Sequence, residues 1–167
     1  MQNAGASPAS PGTLQITMPT EREIVLTRVF AAPRSLVFDA YSKPELLKRW
    51  LGVWGGWSMV VCEVDLWVGG AYRFAWRGPG GADMGVRGVY REIVPPERLV
   101  HTEAFDDGYE GEALVTTVLV EEGGTTRLTS TILYPSREIR DEVLKSGMER
   151  GVAQSYDTLA ELLASIA

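Results

Sequence analysis

From Val60 to Arg77 the chain alternates apolar residues with charged or small ones, and this period of two limits what it can fold into more than any other feature. Val60, Cys62, Val64 and Leu66 are offset by Glu63 and Asp65, and beyond Gly69-Gly70, Tyr72, Phe74 and Trp76 are offset by Arg73 and Arg77. Successive side chains of a strand point to opposite faces, so this run builds strands with one packed and one wet face. A helix would scatter the same residues around its circumference. Arginines stay wet, which fixes the sense of the sheet. Tyr72, Phe74 and Trp76 point inward, and so do Met84, Val86 and Tyr90 of the next strand, whose Arg87 and Arg91 point out.

The pattern continues as a meander. Gly78-Pro-Gly-Gly81, Pro95-Pro96-Glu97, the segment 106–111 and Glu121-Glu-Gly-Gly124 are turn chemistry, and they separate strands at 84–94, 99–105, 113–120 and 126–133. An earlier strand over 23–30 is rich in β-branched residues. Pro33 then opens a short helix carrying Leu36, Val37, Ala40 and Tyr41, and Pro44 opens a second with Leu46, Leu47, Trp50 and Leu51, for which Ser42 is the expected cap. Ser136 caps a helix from Arg137, and Ser146-Gly147 interrupts it. Met148, Val152, Tyr156, Leu159, Leu163 and Ile166 keep helical spacing to the C-terminus, with Glu149, Arg150, Gln154, Asp157 and Glu161 opposite. The sum is an α+β domain over 21–167, in which a curved antiparallel sheet of six to seven strands surrounds a long last helix. Residues 1–20, with Pro8, Pro11 and Pro19, read as a disordered tail.

Bulk properties narrow the function classes. A chain of 167 residues, 45% hydrophobic, buries a real core without staples. The net charge of −6 and the absence of any basic run argue against nucleic acid. No apolar stretch approaches the ~20 residues of a membrane helix, and the first residues lack the pattern of a secretory signal. Cys62 is the single cysteine, so no internal disulfide forms; a cytoplasmic location is expected, and the thiol reads as a small buried hydrophobe. With one histidine and no Cys/His cluster, no metal site and no cofactor are expected.

A strand, two short helices, meandering strands and a long final helix is the order of the helix-grip (START/Bet v-like) fold. The segments Thr27-Arg-Val-Phe-Ala-Ala-Pro-Arg34, Lys43-Pro-Glu-Leu-Leu-Lys-Arg-Trp50 and Cys62-Glu-Val-Asp-Leu-Trp-Val-Gly-Gly-Ala-Tyr-Arg73 resemble the SRPBCC (START-like) superfamily. So do Gly88-Val-Tyr-Arg-Glu-Ile-Val-Pro-Pro-Glu-Arg-Leu-Val100, Thr102-Glu103 and Ser146-Gly-Met-Glu149. Within it they are similar to the branch of homologues of the activator of heat-shock protein 90 ATPase, over about residues 22–165. The chain departs from that branch at Lys43, where Asp is usual, at Trp67-Val68, where Arg-Pro is usual, and at Leu51, where a second Trp is usual. The resemblance implies a sheet that curves away from its helix and leaves a pocket. It also implies two other roles within the superfamily, a co-chaperone and a cyclase or hydrolase.

The residues themselves favour a binding domain. Tyr72, Phe74, Trp76, Met84 and Tyr90 from the sheet, with Met148, Val152 and Tyr156 from the last helix, form the walls of a cavity for a small hydrophobic or aromatic ligand, or else pack as a solid core. Gly147 and Gly151 mark close approach or open space at that end of the helix, since glycine costs a helix ~1 kcal/mol. Trp50, Trp54 and Trp57 either form the mouth of that cavity or pack on the last helix. Exposed instead, Trp54, Trp57 and Trp67 would form a patch for a protein partner or a second copy of the chain. His101 is a ligand-orienting candidate, and with Glu103 on the same strand face it forms an expected surface pair or, as the alternative, a base with its orienting carboxylate. No nucleophile–base–orienter set is present, so no residue is assigned to catalysis and the enzyme reading ranks last.

Overall fold

A computed structural model describes residues 12–53 and 55–167. β1 (Gln15–Thr17) and β2 (Glu23–Phe30) are followed by helices α1 (Arg34–Ser42) and α2 (Pro44–Trp50). Then come β3 (Ser58–Val64), β4 (Ala71–Arg77), β5 (Asp83–Val94), β6 (Arg98–Phe105), β7 (Ala113–Glu122) and β8 (Thr125–Leu133), and helices α3 (Arg137–Lys145) and α4 (Met148–Ile166) close the chain. All eight strands form one antiparallel sheet in the order β1-β2-β8-β7-β6-β5-β4-β3. The helix pair α1–α2 carries the chain from β2 to the far edge, and the meander then walks back until β8 pairs with β2. Among the described residues no helix is long and apolar enough to cross a membrane.

The eighth strand is the difference from the sequence reading. Gln15–Thr17 pairs with Val25, Leu26 and Thr27 of β2, so the segment read as a tail to residue 20 is corrected there. Polar Gln15 and Thr17 around Ile16 alternate over only three residues, too short a run to signal a strand without its partner. The expectations for residues 1–11 and for Trp54 lie outside the described residues.

The inner face follows the alternation. Tyr72, Phe74, Trp76, Val86 and Tyr90 are buried, as are Thr126, Leu128, Ser130 and Ile132 of β8 and Ala113, Val115, Thr117 and Leu119 of β7. Arg77, Arg87 and Arg91 are exposed. In β3 the register shifts between Met59 and Val61, so Met59 pairs with Trp76 and Cys62 with Phe74 while Val60 is turned out and half exposed. A bulge adds one residue to its strand and breaks the count of two, which is why Val60 does not share the inward face of Cys62.

Ser136 accepts a hydrogen bond from the Ile139 N–H at 3.2 Å and caps α3 as its sequence predicts. Ser42 does not cap α2. Its hydroxyl donates to the Phe38 carbonyl at 2.8 Å, and Lys43 takes the cap position with no side-chain bond. Pro at the first turn of α2 lacks an N–H, which removes one of the donors that a cap would have to satisfy.

α4 lies against the concave face in two unlike halves. Its C-terminal half buries Leu159, Leu162 and Leu163 in the core, while Met148, Gly151 and Val152 at the N-terminal end are only half-buried. Gly147 precedes the helix with φ of 84°, a left-handed conformation that ends α3 and restarts the chain. Gly151 is different: a Cβ there meets no atom within 4 Å. Gly151→Ala is expected to stabilise the protein by about 0.5–1 kcal/mol, because alanine restricts the unfolded chain and favours the helix. Urea denaturation measures this, and a destabilised variant would show that the space beside Gly151 is filled in solution.

Candidate functional site

The half-packed end of α4 and the inner face of the sheet border a cavity of about 390 Å³ that is partly open to solvent. β4 contributes Tyr72, Phe74 and Trp76, and β5 contributes Met84 and Val86. Trp50 and Leu51 enter from the end of α2, and Met148, Gly151, Val152, Ser155 and Tyr156 from α4. The far wall is Val115 and Thr117 of β7, Ser130 and Ile132 of β8, and Tyr134 just beyond. β6 supplies His101, Glu103 and Phe105. The volume lies within the range of small-molecule sites, and the lining is apolar and aromatic with a few convergent polar groups.

Of the eleven residues singled out in the sequence, Trp50, Tyr72, Phe74, Trp76, Met84, His101, Met148, Val152 and Tyr156 meet at this cavity. Trp50 is a wall rather than a mouth: it is buried, tilted against Tyr41 at 5.0 Å, and donates its indole N–H to the Ala40 carbonyl at 2.9 Å. Tyr90 sits behind the lining, with its ring 5.5 Å from Tyr72 and 6.1 Å from His101. Trp57 lies elsewhere, with its ring covering the backbone at Gly78, where no side chain intervenes. Trp67, 61% exposed, and its neighbour Val68 form an apolar turn well away from the cavity lining.

The largest departure concerns His101 and Glu103. Both are turned into the protein, not out as a surface pair, because Leu99, His101, Glu103 and Phe105 share one parity on β6. The apolar members at both ends of that series carry the signal, and they force the two polar residues between them inward. Tyr134 is missed for the same reason, since it continues the inward parity of β8 one step past the strand.

His101 is held through Nδ1, which lies 3.1 Å from the Tyr72 hydroxyl and 3.0 Å from the Thr102 carbonyl. Tyr72 donates its own hydrogen to that carbonyl at 2.6 Å. These contacts are all satisfied when Nδ1 carries the imidazole hydrogen and donates it, which leaves Nε2 as an acceptor. Burial pushes the His101 pKa down, with the Thr102 carbonyl opposing, so the ring is neutral near pH 7. Burial raises the Tyr72 and Tyr134 hydroxyls, and the charge of Glu103 adds to the shift at both.

Glu103 is the one charged side chain in the lining. Burial alone pushes its carboxyl up to about 7, with no cation or hydrogen-bond donor among the described residues offsetting it. The Cys62 thiol is likewise raised by burial, with Lys48 opposing, so it is a poor nucleophile. A second concavity, about 870 Å³, runs over the outer face of the sheet. It is lined by Glu63, Asp65, Arg73, Arg87 and Glu112, and Asp106 nearby binds both arginines, at 2.7 and 2.8 Å. That face is charged, and its two arginines share the carboxylate of Asp106.

The family model for activator of Hsp90 ATPase homolog 1-like proteins matches residues 31–164. The chain belongs to this family. Its members form part of the SRPBCC superfamily, and the helix-grip architecture described above is theirs. A solved family structure from Rhodobacter sphaeroides is 34% identical to the chain, covers 93% of it and 100% of its own length, and superposes with a TM-score of 0.85. Protein CV1439 from Chromobacterium violaceum is 30% identical over 86% of this chain and 98% of that one, with a TM-score of 0.76. CalU16 from Micromonospora echinospora, at 21% identity over 90% and 83% of the two chains, shares the fold with a TM-score of 0.61. No curated protein matches the sequence.

Proposed function

We propose that this family member binds a small hydrophobic or aromatic molecule in the cavity between the sheet and the N-terminal half of α4. One observation carries the reading: a cavity of about 390 Å³ lies between the sheet and α4, and Gly151 on its border has open space where a Cβ would stand. Packed interiors leave few voids larger than a water molecule, so an unfilled volume of this size forgoes contacts that a guest restores. Tyr72, Tyr134, Thr117, Ser130 and His101 give the guest an orientation, and the aromatic walls give it affinity. The superfamily commonly uses this fold for hydrophobic ligands. A binding protein also accounts for the lining better than an enzyme does, since His101 has its Nδ1 committed to Tyr72 and Thr102 and no activated hydroxyl or thiol stands beside it among the described residues.

A thermal-shift screen of bicyclic and tricyclic aromatic compounds tests this. At a hundred times its dissociation constant a ligand stabilises the folded state by about 2.7 kcal/mol, an unmistakable rise in Tm. Gly151→Phe, which fills the space beside α4, is expected to abolish the rise while leaving the protein folded. Equal shifts in the variant and the wild type, or no shift with any compound, would falsify the reading.

A further inference from the structure

We infer that the molecule held in the cavity carries a protonated amine or comparable cation, and that this group docks on the carboxylate of Glu103. The inference rests on the cavity being a binding site, and it adds the charge of the ligand.

Glu103 lacks a partner among the described residues. A carboxylate in an apolar cavity needs a counter-charge or several donors, and without them its ionised form is disfavoured. Among the described residues, none of the groups facing Glu103 from the surrounding elements forms an ion pair or hydrogen bond with it, although the buried Tyr109 hydroxyl is itself without a partner. His101 on β6 is neutral with its Nδ1 already engaged, and Tyr72 on β4, Tyr109 on the loop after β6, Tyr134 after β8 and Tyr156 on α4 are tyrosines that feel its charge. Glu112, before β7, is exposed and of the same sign.

The arginines near the site each hold a carboxylate, although the Nε of buried Arg28 has no partner among the described residues. Arg28 points into the protein from β2, 3% exposed, and donates to Asp157 at 2.7 Å with its guanidinium over Phe30. Arg73 and Arg87 are on the outer face, held by Asp106. Among the described residues no lysine or arginine lines the cavity. No fixed counter-charge among them faces Glu103, so the space itself is where one would sit, and Glu103 keeps solvent-accessible atoms toward it. Tyr and Trp faces attract cations, so the rings of Tyr72, Tyr156 and Trp76 suit the same guest. A neutral guest accepting a hydrogen bond from protonated Glu103 would leave the cavity without any charged group to recognise.

Two probes of nearly equal shape separate these possibilities: 2-(aminomethyl)naphthalene, a cation across the relevant pH range, and 2-(hydroxymethyl)naphthalene, which is neutral. Calorimetric titration at pH 8 is expected to show the amine binding at least tenfold tighter than the alcohol. The preference shrinks at pH 6, where Glu103 holds its proton and must release it to accept the cation. In Glu103→Gln the preference is lost while the alcohol still binds. If the alcohol binds wild-type protein as tightly as the amine at pH 8, the cation is wrong and the cavity reading stands. If neither probe binds and Gly151→Phe behaves as wild type throughout the aromatic screen, the cavity reading fails and takes this inference with it. The wild-type comparison at two pH values needs no variant to fold.

Discussion

Glu103→Gln is expected to make the unliganded protein more stable at pH 8 by up to about 3 kcal/mol, an unusual gain for a single polar substitution. The folded carboxyl titrates at about 7, against 4.5 for the free group, and burial is the cause. The folded state therefore holds a proton that the unfolded state has already released. Linkage makes stability fall as pH rises through that window, with the full contribution present below about pH 4.5 and lost above about pH 8. At 1.36 kcal/mol per pH unit the gap amounts to roughly 3 kcal/mol. Glutamine keeps the shape and removes the titration.

His101 works in the opposite sense and gives the experiment its internal check. Its folded pKa is depressed, so it contributes stability above the unfolded value near 6.5 that is lost as pH falls. The two residues oppose each other below about pH 7.5, so Glu103 is read from the difference between the two proteins in chemical denaturation. The stability of Glu103→Gln relative to wild type should grow from about pH 4.5 upward and level off above about pH 7.5. The glutamine variant should itself lose stability on the acid side, through His101. A difference that stays constant from about pH 4.5 to 8 would show that another group carries the titration. The cation inferred above reverses the penalty: a guest that supplies the missing charge returns to the folded state what the lone carboxylate withholds.

The same residues show how far the sequence could be read. Alternation from Tyr72 to Trp76 and helical spacing from Met148 to Leu163 placed the two walls on opposite sides of the cavity, because both follow from local backbone geometry. Trp57 was out of reach for the opposite reason. Its position depends on the glycine it covers at 78, a contact between loops that no periodicity records. Val60 turned outward because a bulge changed the count within a strand whose composition gives no sign of it. β1 needed its partner β2 to exist at all. His101 and Glu103 were legible but misread: polarity argued for the surface, whereas their parity with Leu99 and Phe105 argued for the interior, and parity prevailed. Where polar residues break an inward apolar series, the exception marks the site.

Trp50→Ala is expected to cost about 3–5 kcal/mol, which lowers Tm by roughly 10–15 °C for a domain of this size. Burial is one part of this: the side chain is 2% exposed, packs on Tyr41, and forms a wall that the rest of the cavity cannot replace. The other part lies in the junction of α1 and α2. The carbonyl of Ala40 would ordinarily accept from the N–H four residues on, but that residue is Pro44, which has none. The indole N–H of Trp50 donates to it at 2.9 Å instead, so one side chain closes the gap the proline opens and ties the two helices together. Trp50→Phe separates the two contributions. It keeps most of the apolar area and leaves the carbonyl bare, at a cost of about 1–3 kcal/mol for a buried unpaired acceptor. Urea denaturation should rank wild type above Trp50→Phe and Trp50→Phe above Trp50→Ala. A phenylalanine variant as stable as wild type would mean that water entering through the cavity has taken over the hydrogen bond, and the junction would then depend on packing alone.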